Sequence, residues 1–117
     1  MTNKNIANSW FEAFNQHNLE NLLALYDDNA LHYSPKLKLN HPETNGLIKG
    51  KEQLRKWWGL SFEKLPTLQY FPQLIIVDGN NVFFEYLRKV DGQDDMTVGE
   101  LLEIKNGVIV KSKVYHS

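Results

Sequence analysis

The second half of the chain is a run of four strand-length segments separated by short polar turns, and few folds accommodate that. Leu68 to Val77 is followed by Asp78-Gly79-Asn80-Asn81. Val82 to Val90 is followed by Asp91-Gly92-Gln93-Asp94-Asp95. Met96 to Ile104 is followed by Asn106-Gly107, and Val108 to His116 comes last. Turns this short make neighbouring strands antiparallel. Within Met96 to Ile104, Val98, Leu102 and Ile104 are apolar at every second position, and Glu100 takes the remaining place on that face. Residues two apart on a strand point to the same side of a sheet. A carboxylate is therefore aimed at a surface that otherwise reads as core. Such a group raises its pKa, finds a partner, lines a cavity, or escapes to water at the end of the sheet.

The first half reads as helices. Ile6, Ala7, Trp10, Phe11 and Phe14 recur at spacings of three and four between Asn5 and Asn18, with Thr2 or Asn3 as cap. A shorter helix is expected over Leu19 to Tyr26, capped by Asn18, with Leu19, Leu22, Leu23 and Tyr26 inward. Ala30 to Ser34 reads as a short strand stopped by Pro35. Pro35 to Lys49, with Pro42 and Asn45-Gly46, reads as a long loop of the kind that forms lids and binding loops. A third helix is expected from about Lys51 to Lys64, ended by Pro66, with Leu54, Trp57, Trp58, Ser61, Phe62 and Leu65 on its inner face. The fold class is therefore α+β, with three N-terminal helices on one face of a curved, mainly antiparallel sheet, in a single domain over residues 1–117.

The last hairpin decides which residues face inward. A two-residue Asn-Gly turn would put Glu100 on the same face as Lys111 and Lys113. A three-residue loop with Gly107 in a left-handed bulge shifts the pairing. Val98, Glu100, Leu102 and Ile104 then share a face with Val108, Val110, Ser112, Val114 and His116, and Ile109 falls on the opposite face. This second pairing separates apolar from charged residues and is the expected one.

Composition excludes several classes. The formal net charge is −1 and Lys and Arg are dispersed, so there is no basic stripe for nucleic acid. There is no cysteine, which removes disulfides, thiolate metal sites and a thiol nucleophile. His17, His32 and His41 lack zinc spacing, and Asp91, Asp94 and Asp95 lack the pattern of a calcium loop, so no metal site is expected. No nucleotide or phosphate fingerprint is present, so no cofactor is expected. With no long apolar run and no signal-like N-terminus, no membrane association is expected and a cytoplasmic protein is the default.

The element order resembles the nuclear-transport-factor-2-like superfamily and its SnoaL-like branch. The residues that carry the resemblance are Leu25-Tyr26-Asp27-Asp28-Asn29-Ala30, His32-Tyr33-Ser34-Pro35, Gly50-Lys51-Glu52-Gln53-Leu54 and the closing stretch from Glu100 to Ile109. The resemblance implies a cystatin-like cone whose helices and curved sheet enclose one pocket, often in a dimer. The superfamily includes isomerases, cyclases, dehydratases, hydrolases and proteins without chemistry, so the fold does not name the activity. Against its ketosteroid isomerase branch, Ser34 stands where an Asp base is placed and Trp10 where an oxyanion-hole Tyr is placed. Glu100 stands at the second oxyanion donor, a carboxylic acid held protonated. Val114 stands where the epoxide hydrolase and SnoaL cyclase branches have an Asp. The implied steroid isomerase, hydrolase and cyclase sets are therefore incomplete.

The candidate lining is Trp10, Phe14, Tyr26, Trp58, Phe62, Phe84 and Tyr86, with Glu100, His32, Ser34, Ser112 and His116 as polar points. Aromatic residues with a few converging polar groups suit a small apolar ligand, although the same residues also serve as ordinary core. Glu100, His32 and Tyr26 are the candidates for acid–base work. Two functions stay open: a cone-fold protein that binds an apolar small molecule, and a small acid–base enzyme using Glu100. The outer sheet face, with Phe83, Leu87, Leu101 and Tyr115, would expose a large apolar patch, which predicts a homodimer through that face.

Overall fold

The computed structural model describes residues 2–115. The chain opens with α1 (Asn3–Asn15) and α2 (Leu19–Ala24), each started by the expected cap. Thr2 Oγ1 accepts from the Asn5 amide and Asn18 Oδ1 from the Asn21 amide. Strand β1 (Tyr26–Tyr33) follows, then α3 (Pro35–Asn40), a 3-10 turn (Pro42–Thr44), β2 (Leu47–Lys49) and α4 (Lys51–Lys64). The remainder is β3 (Gln69–Asp78), β4 (Asn81–Lys89), β5 (Met96–Lys105) and β6 (Val108–Tyr115). One six-stranded sheet results, in the order β2-β1-β6-β5-β4-β3. All pairs are antiparallel except β1 with β6. The α+β architecture with helices on a mainly antiparallel sheet is as expected. Among the described residues, no helix is long and apolar enough to cross a membrane.

Three local expectations need correction. The second helix stops at Ala24, and Tyr26 instead opens β1, where it pairs with Ile109 of the last strand. The ladder breaks between Tyr26 and Leu31, so Asp27 to Asn29 bulge outward and the apolar alternation there is lost. The stretch Pro35 to Lys49 is not a bare loop, because Ser34-Pro35 is a helix start and not merely a strand stop. Ser34 Oγ accepts from the Lys36 amide at 3.2 Å, and Pro35 sits at the first helical position, where its missing N–H does no harm. Finally, the β5–β6 hairpin has a two-residue Asn106-Gly107 turn with both φ angles positive, 53° and 77°. The bulge lies inside the hairpin, between the Glu103 and Ile104 pairs, and not at the turn. Glu100, Leu102, Ser112 and Val114 still share the inner face, but Ile109 pairs with Ile104 and is fully buried.

The core lies between α1, α4 and the concave sheet face. Inner positions of β4 and β5 alternate with outer ones throughout, and Val82, Phe84, Tyr86, Val98 and Leu102 are buried. Each such large side chain stabilises the fold by about 1.5–3 kcal/mol. Strand β3 forms one sheet edge. The Asn15 side chain, at the end of α1, bonds both backbone groups of Tyr70, donating to its carbonyl at 2.8 Å and accepting from its amide at 2.7 Å. This clamp fixes the helix across the edge strand and satisfies part of its free backbone.

Candidate functional site

The sheet and the helices leave a pocket of about 80 Å³ that is partly open to solvent. Its wall includes Trp10 and Phe14 of α1, His32 of β1, and Trp57, Trp58 and Ser61 of α4. Tyr70, Tyr86, Val98, Glu100 and Val114 add the sheet side, with Lys36, Arg88 and Met96 completing the border. The aromatic part is continuous. Phe14 stacks on Tyr70 at 4.4 Å, Tyr70 on Tyr86 at 4.1 Å, and Trp10 on Phe14 at 4.9 Å between ring centres. Such pairs add specific geometry to their area burial.

Glu100 is the acid of this wall. It is 2% exposed. Its Oε1 accepts from the Tyr86 hydroxyl at 3.2 Å, and Oε2 has no hydrogen-bond partner. Burial pushes its pKa up to about 8, against the opposing effect of the Tyr86 hydrogen bond. At neutral pH the group is therefore mainly a carboxylic acid. The proton then sits naturally on Oε2, the oxygen not bonded to Tyr86, as a donor without an acceptor. Burial, reinforced by Glu100, holds Tyr70 as a neutral phenol, and burial, reinforced by Tyr70 and then Glu100, does the same for Tyr86.

A second buried array runs beneath the pocket. Trp10 Nε1 donates to the Tyr26 hydroxyl at 3.2 Å, and that hydroxyl donates to Ser112 Oγ at 3.1 Å. Ser112 Oγ lies 2.6 Å from His32 Nδ1. An indole only donates, so Trp10 gives to Tyr26 and Tyr26 gives to Ser112, while the Ser112–His32 bond runs in the direction set by which imidazole nitrogen carries the proton. Burial pushes the His32 pKa down to about 4, so the ring is neutral at pH 7. Its ring also meets the edge of Trp58 at 5.3 Å. The imidazole is held in place by Ser112 and is a poor base in the physiological range.

Of the residues expected on the lining, Trp10, Phe14, His32, Ser34, Trp58, Tyr86 and Glu100 border the pocket. Tyr26, Phe62, Phe84 and Ser112 lie behind its wall. Tyr26 and Ser112 are enclosed in the hydrogen-bond chain, so Tyr26 has no free hydroxyl to offer. Phe84 is wedged between Trp10 and Phe11, at 4.8 and 4.6 Å. Phe62 is turned toward the end of α1, stacked on His17 at 4.7 Å. Ser34 borders the pocket, but its oxygen caps α3. His116 lies outside the described residues.

Sequence reasoning passed over Arg88, Lys36 and Tyr70. Arg88 carries the same signal as Glu100, a charge at an inner position of an otherwise apolar alternation, after Val82, Phe84 and Tyr86. Tyr70 pairs with Arg88 across β3 and β4. Lys36 has no such signal, because its place depends on a helix that Pro35 conceals. Among the described residues no group of three or more His, Asp and Glu could hold a metal ion.

The fold and the sequence both have relatives. A SnoaL-like protein of unknown function from Burkholderia thailandensis superposes with a TM-score of 0.88 at 22% identity, over 97% of this chain and 92% of that one. A cystatin-fold protein from Novosphingobium aromaticivorans gives 0.83 at 15% identity, over 99% of both chains. A protein with a ketosteroid isomerase-like fold from Catenulispora acidiphila, in complex with trimethylamine, gives 0.78 at 18% identity, over 99% and 88%. A search of the curated proteins finds no significant match. The sequence match to the SnoaL-like domain spans residues 7–112, from the first buried turn of α1 to the serine under the pocket, and on that span the chain belongs to the SnoaL-like family.

Proposed function

We propose that this protein binds a small, largely apolar molecule in the pocket of the cone, with protonated Glu100 as the hydrogen-bond donor at its inner end. The observation that carries this reading is the unpartnered Oε2 of a buried acid set in an aromatic wall. A buried donor without an acceptor is costly, and an oxygen or nitrogen of a ligand would relieve that cost. The size of the pocket bounds the ligand. About 80 Å³ is well below the roughly 300 Å³ or more of pockets that take drug-sized ligands. A molecule of a few heavy atoms fits; a steroid skeleton does not. Support from the fold is coarser: the Catenulispora relative holds a small amine.

A second reading, acid–base catalysis, is favoured by the Glu100 pKa of about 8, close to the range in which a general acid works best at neutral pH. It rests on Glu100 alone. His32 is neutral and tied to Ser112, and Tyr26 is sealed behind the wall.

The three tryptophans of the chain, Trp10, Trp57 and Trp58, all border the pocket, so intrinsic fluorescence reports on its contents. Titration with a library of small fragments should change that fluorescence in a saturable way. Glu100→Gln, which keeps a donor, should shift affinity by less than tenfold, and Glu100→Leu should lower it by tenfold or more. A library that never perturbs the fluorescence would defeat the binding reading. A fragment that is chemically converted by the parent and not by Glu100→Gln would establish the catalytic one.

A further inference from the structure

Two cations border the same pocket as Glu100: Arg88 near the end of β4, and Lys36 in the first turn of α3. Arg88 is 5% exposed, so its guanidinium has left bulk water. Its Nη1 donates to Gln93 Oε1 at 2.9 Å, a neutral acceptor that fixes its position without balancing its charge. Among the described residues no carboxylate makes an ion pair with either cation. The one acid of the pocket gives no compensation, since Glu100 is mainly protonated at pH 7. A local positive charge thus stands in a chain whose formal net charge is −1. The two cations are also close enough to oppose each other: burial, and then the charge of Arg88, lower the pKa of Lys36. A buried guanidinium normally has a paired anion, and its fork of donors matches a carboxylate.

We propose that Arg88 and Lys36 form an anion subsite at the border of the pocket, which takes the carboxylate of a small organic acid whose apolar part lies against Trp58, Met96 and Val98. This rests on the binding reading above and specifies its ligand class. The guanidinium supplies paired N–H donors and Lys36 a second, adjustable charge. The apolar wall then selects organic acids over inorganic anions, and the limited volume selects short ones.

The test compares acids with their neutral isosteres. Acetate, hexanoate and benzoate, with acetamide, hexanamide and benzamide, are titrated at pH 7 and low ionic strength. Binding is followed by tryptophan fluorescence and ligand-observed NMR, with inorganic phosphate as competitor. At least one acid should bind tenfold or more tightly than its amide, and added salt should weaken the acid but not the amide. Arg88→Met should abolish the preference, Arg88→Lys should retain part of it, and Lys36→Met should reduce it. Should Arg88→Met fail to fold, Lys36→Met and the salt dependence decide. Amides that bind as well as acids, or a preference untouched in the variants, would overturn the anion subsite and leave pocket binding standing. Phosphate that binds as tightly as the best acid would overturn the organic-acid class. No binding of any acid or amide would overturn both readings.

Discussion

Glu100 and His32 are both buried, and their environments push them in opposite directions along the pH scale. Glu100, at about 8, keeps its proton in the folded state when the unfolded chain has lost it. Between the ordinary carboxyl value and about 8 the folded state binds more protons, so stability falls as pH rises through that window. His32, at about 4, stays neutral when the unfolded chain has taken a proton. Between about 4 and the ordinary imidazole value the unfolded state binds more protons, so stability falls as pH drops through that window. These two residues therefore predict a maximum of thermal stability at mildly acidic pH, with decline on both sides. Melting temperatures of the parent and of Glu100→Gln should converge near pH 5, and above pH 7 the variant should be the more stable. A side-chain carboxyl titration by NMR should place Glu100 near 8; a value at or below the ordinary carboxyl range would end the buried-acid account.

Two elements hold the pocket in shape by different means. Helix α1 is clamped to the edge strand β3 by the paired hydrogen bonds between Asn15 and the Tyr70 backbone. Asn15→Ala leaves both backbone groups short of a partner at a half-buried edge, so unfolding free energy should drop by about 1–3 kcal/mol in a denaturant titration. A loss below the error of that titration would show that water replaces the side chain. The stretch from Pro35 to Lys49 is expected to divide. The β2 amides, paired with β1 at Leu31, His32 and Tyr33, should exchange slowly, while α3 and the 3-10 turn exchange faster because α3 is short and both are largely exposed. Uniform protection across the stretch, equal to that of β4 and β5, would rule out any lid-like motion next to Lys36. Ser34→Ala, which removes the α3 cap, should speed that exchange by an amount consistent with a loss of about 1 kcal/mol.

At the scale of the molecule, the outer sheet face stands apart. Phe71, Leu74, Ile76 and Tyr115 are each 44–49% exposed there, beside the half-buried Phe83, Leu87 and Leu101. The Phe83 ring lies over Gly99, where a Cβ would come within 2.8 Å of it, so only glycine leaves room for the ring there. We propose that a second copy covers this face. Sedimentation should then give a dimer at micromolar concentration and a monomer for Ile76→Lys; a parent that sediments as a monomer would refute it. The inward faces of β4 and β5, the caps of α1 and α2, and the extent of α4 were legible in the sequence, because period and capping are local properties of the chain. So was the inward aim of Glu100. The alternation marks Arg88 just as plainly, but a charge near a strand end usually reaches water, and only the packing of the pocket border buries this one. The parallel pairing of Tyr26 with Ile109, the reversal of Ile109 by a bulge, and the arrival of Lys36 beside Arg88 join residues far apart along the chain. Local pattern says which way a side chain points. Tertiary structure alone decides what it meets there, and that separates an acid and two cations around one pocket from three scattered charges.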